Sequence, residues 1–331
     1  MPLTPRNVYE QQAYNRRLTV VVLAGFVLFV GFLGFGLDVF LLGFGPGSEE
    51  GMGFPFPIAT VVAMSIAGVS ATRSALNGDV SVLASATAVP VSDNDPKYRQ
   101  LLNIVDEMSI ASGLPRPKVY SVPDPDPNAF ATGRDPAHAS LAVTEGLVER
   151  LNREELQAVV AHEMGHIRNY DIRLMTVVAA LIGTVLLITE FGTRMLRFGG
   201  VRGGSGGKRD SKGGGGGLGI LMVFWVIALI LAPIISQLLA MAVSRQREFL
   251  ADSSGAELTR NPLALASALQ KITDADDPTK AIKKGTAHLC IADPLGRSAN
   301  EREGFIADLL ATHPPIEKRI TLLKAMAYQH A

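Results

Sequence analysis

The sequence predicts a mainly α-helical integral membrane protein with about four transmembrane helices and an α+β domain outside the membrane. Of its 331 residues, 47% are hydrophobic and 19% are charged, whereas about 25% are charged in ordinary soluble domains. The apolar residues are concentrated in four long runs, and the polar stretch after the second run has the patterns of both helices and short strands. Two soluble domains of average size are therefore not expected.

Four apolar runs are the candidates for transmembrane helices. The first lies between Arg17 and Asp38 and reaches the length of about 20 residues that a span requires. It lacks a clear small-residue cleavage site, so a retained helix is favoured over a signal peptide. The third run is slightly short, and the fourth is long enough to cross with a tilt. The runs cover Leu18–Leu37, Phe54–Thr72, Leu174–Thr189 and Leu218–Ser244.

These runs divide the chain into four parts. Residues 1–73 hold two transmembrane helices, and residues 74–171 form the first part of the domain outside the membrane. Residues 172–244 form a hydrophobic helical hairpin, and residues 245–331 form the second part of the outer domain. The hairpin includes a Gly-rich basic stretch at 199–217, which is typical of a flexible loop because it cannot bury a core.

The polar part of the chain before the third run combines helices with a small sheet. An amphipathic helix is expected over Lys97–Ser112, because its apolar residues recur at helical spacing. A second helix is expected over Arg153–Arg168, with Asn152 as N-cap and acidic residues in the first turn. The sequence between these helices predicts three short strands, at Lys118–Val122, Asn128–Gly133 and Ser140–Thr144.

Charge and cysteine content exclude some kinds of site. The formal net charge is zero, which gives no indication of a nucleic-acid partner. A single cysteine, Cys290, excludes an intrachain disulfide and a cysteine-rich metal site. We expect Cys290 to be a small packed thiol, because no neighbouring feature marks it as an activated nucleophile.

The run His162-Glu163-Met164-Gly165-His166 matches the HExxH pattern. On a helix, residues four apart lie one above the other, so both imidazoles can bind one zinc ion. Glu163 follows the first histidine and can accept a proton from water and later deliver it to a leaving amine. The apolar stripe and helix start that precede the motif place it where this chemistry requires it. The pattern therefore predicts a zinc-dependent hydrolase.

A catalytic zinc site usually has a third protein ligand. Glu248 is the best candidate, since it follows the last apolar run on a continuing helix, and Asp252 shares its face and could orient a ligand. The alternative is a solvated helix face in which Arg245 and Arg247 balance the carboxylates. The residues alone leave both open. Weaker ligand candidates lie at the end of the third run or among loop-like residues: Glu190, His288, Glu301 and Glu303.

The combination of His162-Glu163-x-x-His166 with Glu248-x-x-x-Asp252 resembles the HtpX-like membrane zinc endopeptidases, which are distant relatives of the CAAX prenyl proteases. The resemblance covers nearly the whole chain. It implies a zincin-like catalytic domain that holds one Zn²⁺ per chain through His162, His166 and Glu248, with Glu163 as general base. It also implies a catalytic domain in the cytoplasm and a stress-response role in membrane-protein quality control.

Other positions gain a role only through this resemblance. His313, beside Pro314, resembles a histidine that contacts substrate or stabilises an oxyanion. Asn128, Ala129, Phe130 and Ala131 resemble the edge strand along which an extended substrate pairs, although a purely structural strand is equally expected. Arg319 is a candidate support for the site through a carboxylate. The two remaining histidines are expected at the surface: His138 and His330.

The metal motif also constrains the membrane topology. His166 precedes the third apolar run and Glu248 follows the fourth, so the chain between them must cross the membrane an even number of times. Arg6, Arg16 and Arg17 favour a cytoplasmic N-terminus, and two crossings then return the catalytic domain to the cytoplasm. The basic stretch at 199–217 disagrees, since counting positive charges would place that loop inside as well.

We therefore expect a multi-pass zinc endopeptidase of the cell (inner) membrane. Its partners would be the lipid bilayer and membrane-protein or unfolded polypeptide substrates, with no nucleic acid. Two alternatives are a CAAX-type processing protease and a non-catalytic metal-binding membrane scaffold. The intact Glu163 disfavours the scaffold, because a site without catalysis does not need that carboxylate. The presence of only four apolar runs disfavours the processing protease.

Overall fold

The first two helices extend beyond the apolar runs that predict them. A computed structural model of the protein describes residues 8–40, 44, 56–182, 225–227, 247–275, 281, 289–292 and 314–329. Helix α1 covers Val8–Phe40 and helix α2 covers Ile58–Ser85. Both are candidate membrane spans by length and composition. Most of the fourth predicted span and the end of the third lie outside the described residues.

A carboxylate near the end of α1 binds the first turn of α2. The side chain of Asp38 is buried, and its oxygens accept hydrogen bonds from the main-chain N–H groups of Ala59 at 2.8 Å and Thr60 at 2.7 Å. N–H groups in the first turn of a helix have no partner within the helix, and the helix dipole favours negative charge there. The acidic residue that ends the first apolar run therefore stabilises the start of the second helix.

The contacts divide the chain into two units. One unit comprises residues 21–73 and 181–237. Within it, the indole N–H of Trp225 donates to the Leu33 carbonyl at 3.0 Å. The other unit comprises residues 1–20, 74–180 and 238–331, and it contains the sheet and the HExxH helix.

The sheet has four strands in the order β1-β2-β4-β3. Strand β2 pairs in parallel with β4, whereas β1 pairs antiparallel with β2 and β3 pairs antiparallel with β4. The three predicted strands are confirmed within one residue at their starts. The sequence gives no signal for β1, because two residues are too few to show an alternating pattern. The strands are β1 (Val89–Pro90), β2 (Lys118–Val122), β3 (Ala129–Gly133) and β4 (Ala139–Thr144).

The described helices of this unit surround the HExxH helix, α5. Helix α5 packs against α3, α8 and strand β3, and its apolar residues Leu156, Val159 and Val160 lie in the main core. The expected helix over Lys97–Ser112 is found as a short 3₁₀ turn followed by α3. Among the described residues, and apart from the short helical stretch at 225–227, the α-helices after α2 are α3 (Arg99–Ser112), α4 (Glu145–Arg150), α5 (Arg153–Arg168), α6 (171–182), α7 (247–259), α8 (Pro262–Thr273) and α9 (Ile316–Gln329).

A capping box fixes the start of α5, with Asn152 as the N-cap that the sequence predicts. Asn152 Oδ1 accepts from the Glu155 N–H, and a Glu155 oxygen accepts from the Asn152 N–H, each at 2.9 Å. Glu155 is also bonded to Lys271 Nζ of α8 at 2.7 Å. Burial raises the pKa of the Glu155 carboxyl, but the hydrogen bonds from Lys271, Ser267 and Asn152 outweigh this effect and hold the pKa below its usual value. The cap therefore also ties α5 to α8.

The helix that carries the second apolar run and the start of the third run both reach buried parts of the protein. Helix α2 continues past Arg73 to Ser85 through a non-helical residue, Asn77, because its last turns place Val82 and Leu83 in a buried cluster. The third run begins on α6, where Leu174 and Val177 are completely or almost completely buried. The described part of this run is thus packed against protein.

Candidate metal centre

Helix α5 presents two histidines from adjacent turns. The ring centroids of His162 and His166 lie 4.8 Å apart, and their planes are nearly perpendicular, at 89°. Both side chains are buried, with 0% and 3% of their surface exposed. The four-residue spacing places them on one face of α5.

Glu248 of α7 completes a cluster of three ligands. Its Oε2 lies 3.6 Å from His162 Nε2, and its Oε1 lies 3.5 Å from His166 Nε2. Such distances are too long for good hydrogen bonds. They are close to the separation of about 3.3–3.5 Å that two ligand atoms have when both bind one zinc ion. Ligand atoms of His162, His166 and Glu248 all lie within 4.8 Å of one another.

The residues present fit a metal cation. His162 Nε2 is buried and has no hydrogen-bond partner among the described residues. A buried polar nitrogen without a partner is costly, and a coordinated cation would remove that cost. The donor set of two imidazoles and one carboxylate is one that zinc sites use for catalysis.

A carboxylate lies behind each histidine. His162 Nδ1 is 3.0 Å from Asp252 Oδ1, and His166 Nδ1 is 3.1 Å from Asp171 Oδ2. The contact of His166 with Asp171 is a hydrogen bond, whereas that of His162 with Asp252 is a close charge contact without standard hydrogen-bond geometry. A carboxylate behind the ring favours a proton on Nδ1, so that Nε2 is left to bind a metal, and it fixes the orientation of the ring. Burial lowers the pKa of His166, but the hydrogen bond to Asp171 and the charge of Glu248 raise it to about 9.

Arg319 of α9 holds the Asp252 carboxylate in place. Its Nε and Nη2 donate to the two oxygens of Asp252 at 2.8 and 2.7 Å, and its Nη1 lies 3.3 Å from Glu248 Oε2. Burial opposes ionisation of both partners, yet their mutual contact keeps the pKa of Asp252 below and that of Arg319 above the usual value. A two-point guanidinium–carboxylate contact fixes direction as well as charge.

Glu163 lies in the same buried site without binding to the cluster. Neither of its oxygens has a hydrogen-bond partner of standard geometry among the described residues. Burial raises the pKa of its carboxyl, and the charges of His162 and His166 oppose that rise. The Ala131 N–H of β3 also lies close enough to lower this pKa. The carboxylate is thus placed between the metal ligands and the sheet edge.

Glycines let α5 and α7 approach closely enough for one cluster to form. A Cβ added to Gly165, inside the HExxH motif, would lie 3.2–3.4 Å from atoms of Ser254 and Ala251. A Cβ on Gly255 would lie 3.0 Å from the main-chain nitrogen of His162. These separations leave little or no room for a side chain, so the small residues bring Glu248 within reach of the histidines.

The structure brings together five residues that the sequence or the resemblance singles out: His162, Glu163, His166, Glu248 and Asp252. Arg319 joins them through Asp252. The interpretation of Glu248 as part of a solvated face is wrong, because Glu248 and Arg247 are 1% and 4% exposed. His313 and the weaker ligand candidates lie outside the described residues: Glu190, His288, Glu301 and Glu303.

Sequence reasoning missed Asp171. It follows the helix that carries the motif, after the turn at 169–170, and only the geometry shows that it faces His166. The only sign of it in the sequence is that an acidic residue follows the second histidine by about one and a half helical turns. Many surface residues have the same spacing from a histidine, so this sign does not identify a functional residue. The smaller expectations agree with the structure: Cys290 is buried and His138 is exposed, where it contacts Asp135 and Arg134.

The four residues that resemble a substrate-binding strand are used in different ways. The Asn128 amide donates to the Ala292 carbonyl, and the Ala129 carbonyl accepts from the Ile291 N–H at 2.9 Å. Phe130 pairs with Ala142 of β4 and lies in a buried cluster. Because Asn128 pairs with Thr144, alternation in an antiparallel ladder directs the main chain of Ala131 outwards. No described residue donates to the Ala131 carbonyl.

A family model and several known proteins match this chain over most of its length. The model of peptidase family M48 matches residues 96–327. A protease HtpX homolog of Caldanaerobacter subterraneus subsp. tengcongensis is 41% identical, over 98% of this chain and 99% of the relative. Homologs of Tropheryma whipplei and Ligilactobacillus salivarius are 41% and 38% identical, over 97% and 96% of this chain and 99% and 100% of theirs. The crystal structure of S. mikatae Ste24p aligns at a TM-score of 0.49 and 17% identity, covering 96% of this chain and 66% of that one.

The chain is a membrane-anchored metalloprotease with a metal cofactor and protein substrates. It belongs to peptidase family M48, and its full-length relatives are protease HtpX homologs. The resemblance seen in the sequence is thereby confirmed.

Asp252→Asn tests the contact behind His162. The substitution keeps the shape of the side chain but weakens its hold on His162 and Arg319, and loss of such a contact typically lowers metal affinity by about 10–100-fold. We expect that loss in a zinc–chelator competition on the purified protein. Asp274→Asn, which changes an exposed carboxylate on α8's C-terminal side, should leave the affinity unchanged. Equal affinity of Asp252→Asn and wild type would contradict the assignment.

Proposed function

We propose that the protein is a zinc endopeptidase that holds one Zn²⁺ per chain through His162, His166 and Glu248. The observation that carries this proposal is the convergence of these three buried side chains beside a fourth, Glu163, which does not belong to the ligand cluster. When bound, zinc lowers the pKa of water and polarises the peptide carbonyl that is to be cleaved.

Glu163 is the general base and later the general acid in this proposal. Its burial raises the pKa of the carboxyl, which makes it a better proton acceptor than an exposed glutamate. It accepts the proton of the attacking water at a carboxylate oxygen and then delivers it to the nitrogen of the leaving amine. Asp252 and Asp171 keep the Nδ1 atoms of the two histidines protonated and hold the rings in place.

The substrate main chain pairs with β3 at Ala131. Strand β3 lies at the end of the described sheet, and of its four candidate residues Ala131 has an outward carbonyl that accepts from no described residue, although Ala131 itself is only 3% exposed. Its N–H lies near Glu163, so a peptide paired there would be next to the general base. An added strand obtains affinity from main-chain hydrogen bonds and therefore accepts many sequences. This property suits unfolded or misassembled membrane proteins as substrates in quality control.

Ala131→Pro tests this pairing. Proline removes the outward N–H, which does not belong to the sheet ladder but lies near Glu163, so folding and bound zinc are measured beside the kinetics. We expect kcat/KM for an unfolded protein substrate to fall by about tenfold, the effect of losing one hydrogen bond worth about 1.4 kcal/mol, while bound zinc stays at the wild-type level. Unchanged cleavage kinetics would place the substrate elsewhere, and a loss of zinc would show that the site itself was disturbed.

We place the protein in the cell (inner) membrane with four spans and the catalytic domain in the cytoplasm. The requirement that His166 and Glu248 reach one ion supports an even number of crossings between α5 and α7. Labelling with a membrane-impermeant maleimide tests this topology. Ser205→Cys, in the Gly-rich stretch, should react in intact cells, whereas Ser92→Cys, which is exposed in the catalytic unit, should react only after lysis. Labelling of Ser92→Cys in intact cells would reverse the orientation.

Glu163→Gln tests the proposed mechanism. Both the variant and the wild type should bind about one zinc per chain in detergent, because Glu163 is not a ligand. Cleavage of an unfolded protein should fall by about 10²–10⁴-fold, the usual contribution of a positioned acid–base group. Glu154→Gln, on the first turn of α5 and exposed, serves as the matched control and should cleave like the wild type.

The remaining outcomes decide between the alternatives. Equal cleavage by Glu163→Gln and the wild type would rule out this base. Zinc binding by the wild type without cleavage of unfolded proteins would contradict the proposed substrate class. Cleavage of prenylated peptides alone would support the CAAX-type processing activity.

A further inference from the structure

Asp171 has a second partner besides His166. Its Oδ2 faces His166 Nδ1, whereas its Oδ1 accepts a hydrogen bond of 2.6 Å from the side-chain amide of Asn15. Arg247 Nε lies farther from the same oxygen, at 4.0 Å. Asp171 itself is completely buried, so its two oxygens depend on protein donors.

Asn15 lies on α1, far from the HExxH motif in sequence, and is 1% exposed. Its two amide hydrogens are both used: one donates to Asp171 and the other to the Asn169 carbonyl at 3.0 Å. Its oxygen accepts from Gln11 Nε2 at 3.3 Å. An ionised carboxylate can only accept hydrogen bonds, so the NH₂ group and not the oxygen must face Asp171. The amide is therefore fully satisfied in one orientation.

The start of α1 is fixed to the end of α5 by further contacts. Gln12 Nε2 donates to the Arg168 carbonyl at 2.8 Å, and the Arg16 guanidinium lies 4.4 Å from the centre of the Tyr170 ring. Asn15 sits between these two contacts and, of the three side chains, is the one that bonds to Asp171. The contacts of Gln12 and Arg16 hold the helix, whereas that of Asn15 also reaches the histidine.

We propose that Asn15 is a positioning residue of the metal centre, which acts on His166 through Asp171. This inference rests on the proposed zinc site. A short hydrogen bond to an ionised oxygen is among the strongest that proteins make, and it fixes the plane of the Asp171 carboxylate. That plane in turn fixes the direction of His166 Nδ1–H and therefore of Nε2. The first helix is thus a functional part of the metal site as well as a membrane anchor.

Zinc affinity of the full-length chain in detergent tests the proposal. Asn15→Leu keeps the size of the side chain and removes its hydrogen bonds. Loss of a carboxylate that contacts a ligand histidine lowers metal affinity by about 10–100-fold, and Asn15 acts only through such a carboxylate. We therefore expect a smaller fall in zinc affinity, of about 3–10-fold, in a zinc–chelator competition. Gln12→Leu removes a contact on the same helix that does not reach Asp171, and its zinc affinity should equal that of the wild type.

A double-mutant cycle separates positioning from general destabilisation. In the Asp171→Asn background, Asn15→Leu should have no further effect on zinc affinity, because the path to His166 is already interrupted. With Co²⁺ in place of zinc, the visible absorption spectrum should change for Asn15→Leu and not for Gln12→Leu. If Asn15→Leu does not yield folded protein, Asn15→Ser, which is too short to reach Asp171, replaces it in the same comparison.

Each outcome is decisive. The proposal would be overturned if Asn15→Leu and Gln12→Leu lowered zinc affinity equally, or if the effects of Asn15→Leu and Asp171→Asn were additive. Asn15 would then only attach α1 to the end of α5. Wild-type affinity of Asn15→Leu would overturn it as well. In all these cases the zinc site stands if the wild type binds zinc and His166→Ala does not. Failure of the wild type to bind zinc would instead remove the proposed function and this inference together.

Discussion

Burial of charge where α5 meets α7 is the constraint on which the rest of this structure depends. Among the described residues, four carboxylates and two guanidinium groups lie in or beside the site, and none is more than 4% exposed: Glu163, Asp171, Glu248, Asp252, Arg247 and Arg319. When all are ionised, two negative charges remain, which a divalent cation would balance. Removing one partner from a buried pair costs about 3–5 kcal/mol, so each element that supplies a partner is held in place by the others.

This constraint explains why the site draws on distant parts of the chain. Arg319 on α9 lies between Asp252 and Glu248, and the Ile291 carbonyl accepts from the same guanidinium at 2.7 Å. The segment that contains Ile291 pairs in turn with β3 at Ala129. The buried guanidinium group of Arg319 therefore connects the metal ligands, helix α9 and the sheet edge. The residues at the centre cannot move without disturbing the surface on which a peptide is proposed to bind.

Local patterns predicted those parts of the molecule that local physics determines. The capping residues Asn152 and Glu155 fix the start of α5, and the helical repeat places His162 and His166 on one face. The sequence therefore predicts both the start of the helix and the pairing of the histidines. The position of strand β2 is likewise predicted by its amino-acid composition. Glu248 was one candidate among several, because its approach to the histidines depends on close helix packing at Gly165 and Gly255. Asp171 gave no periodic signal, since its role arises only from the turn that follows α5.

Asn15 and Asp38, which lie before and after the first apolar run, also have contacts that the sequence does not predict. In the sequence, Arg17 and Asp38 bound this run, nothing singles out Asn15, and the helix is expected to act as an anchor. Each side chain instead satisfies a polar group of another segment: Asp38 binds the first N–H groups of α2, and Asn15 binds the carboxylate behind His166. A buried polar side chain is costly unless it is bonded, so its presence at the end of an apolar helix already implies a partner. What the sequence cannot supply is the identity of that partner, because the contact between Asn15 and Asp171 joins residues separated by 156 positions. The polar ends of an apolar helix are therefore where a membrane anchor acquires a role in the chemistry of the domain that it carries.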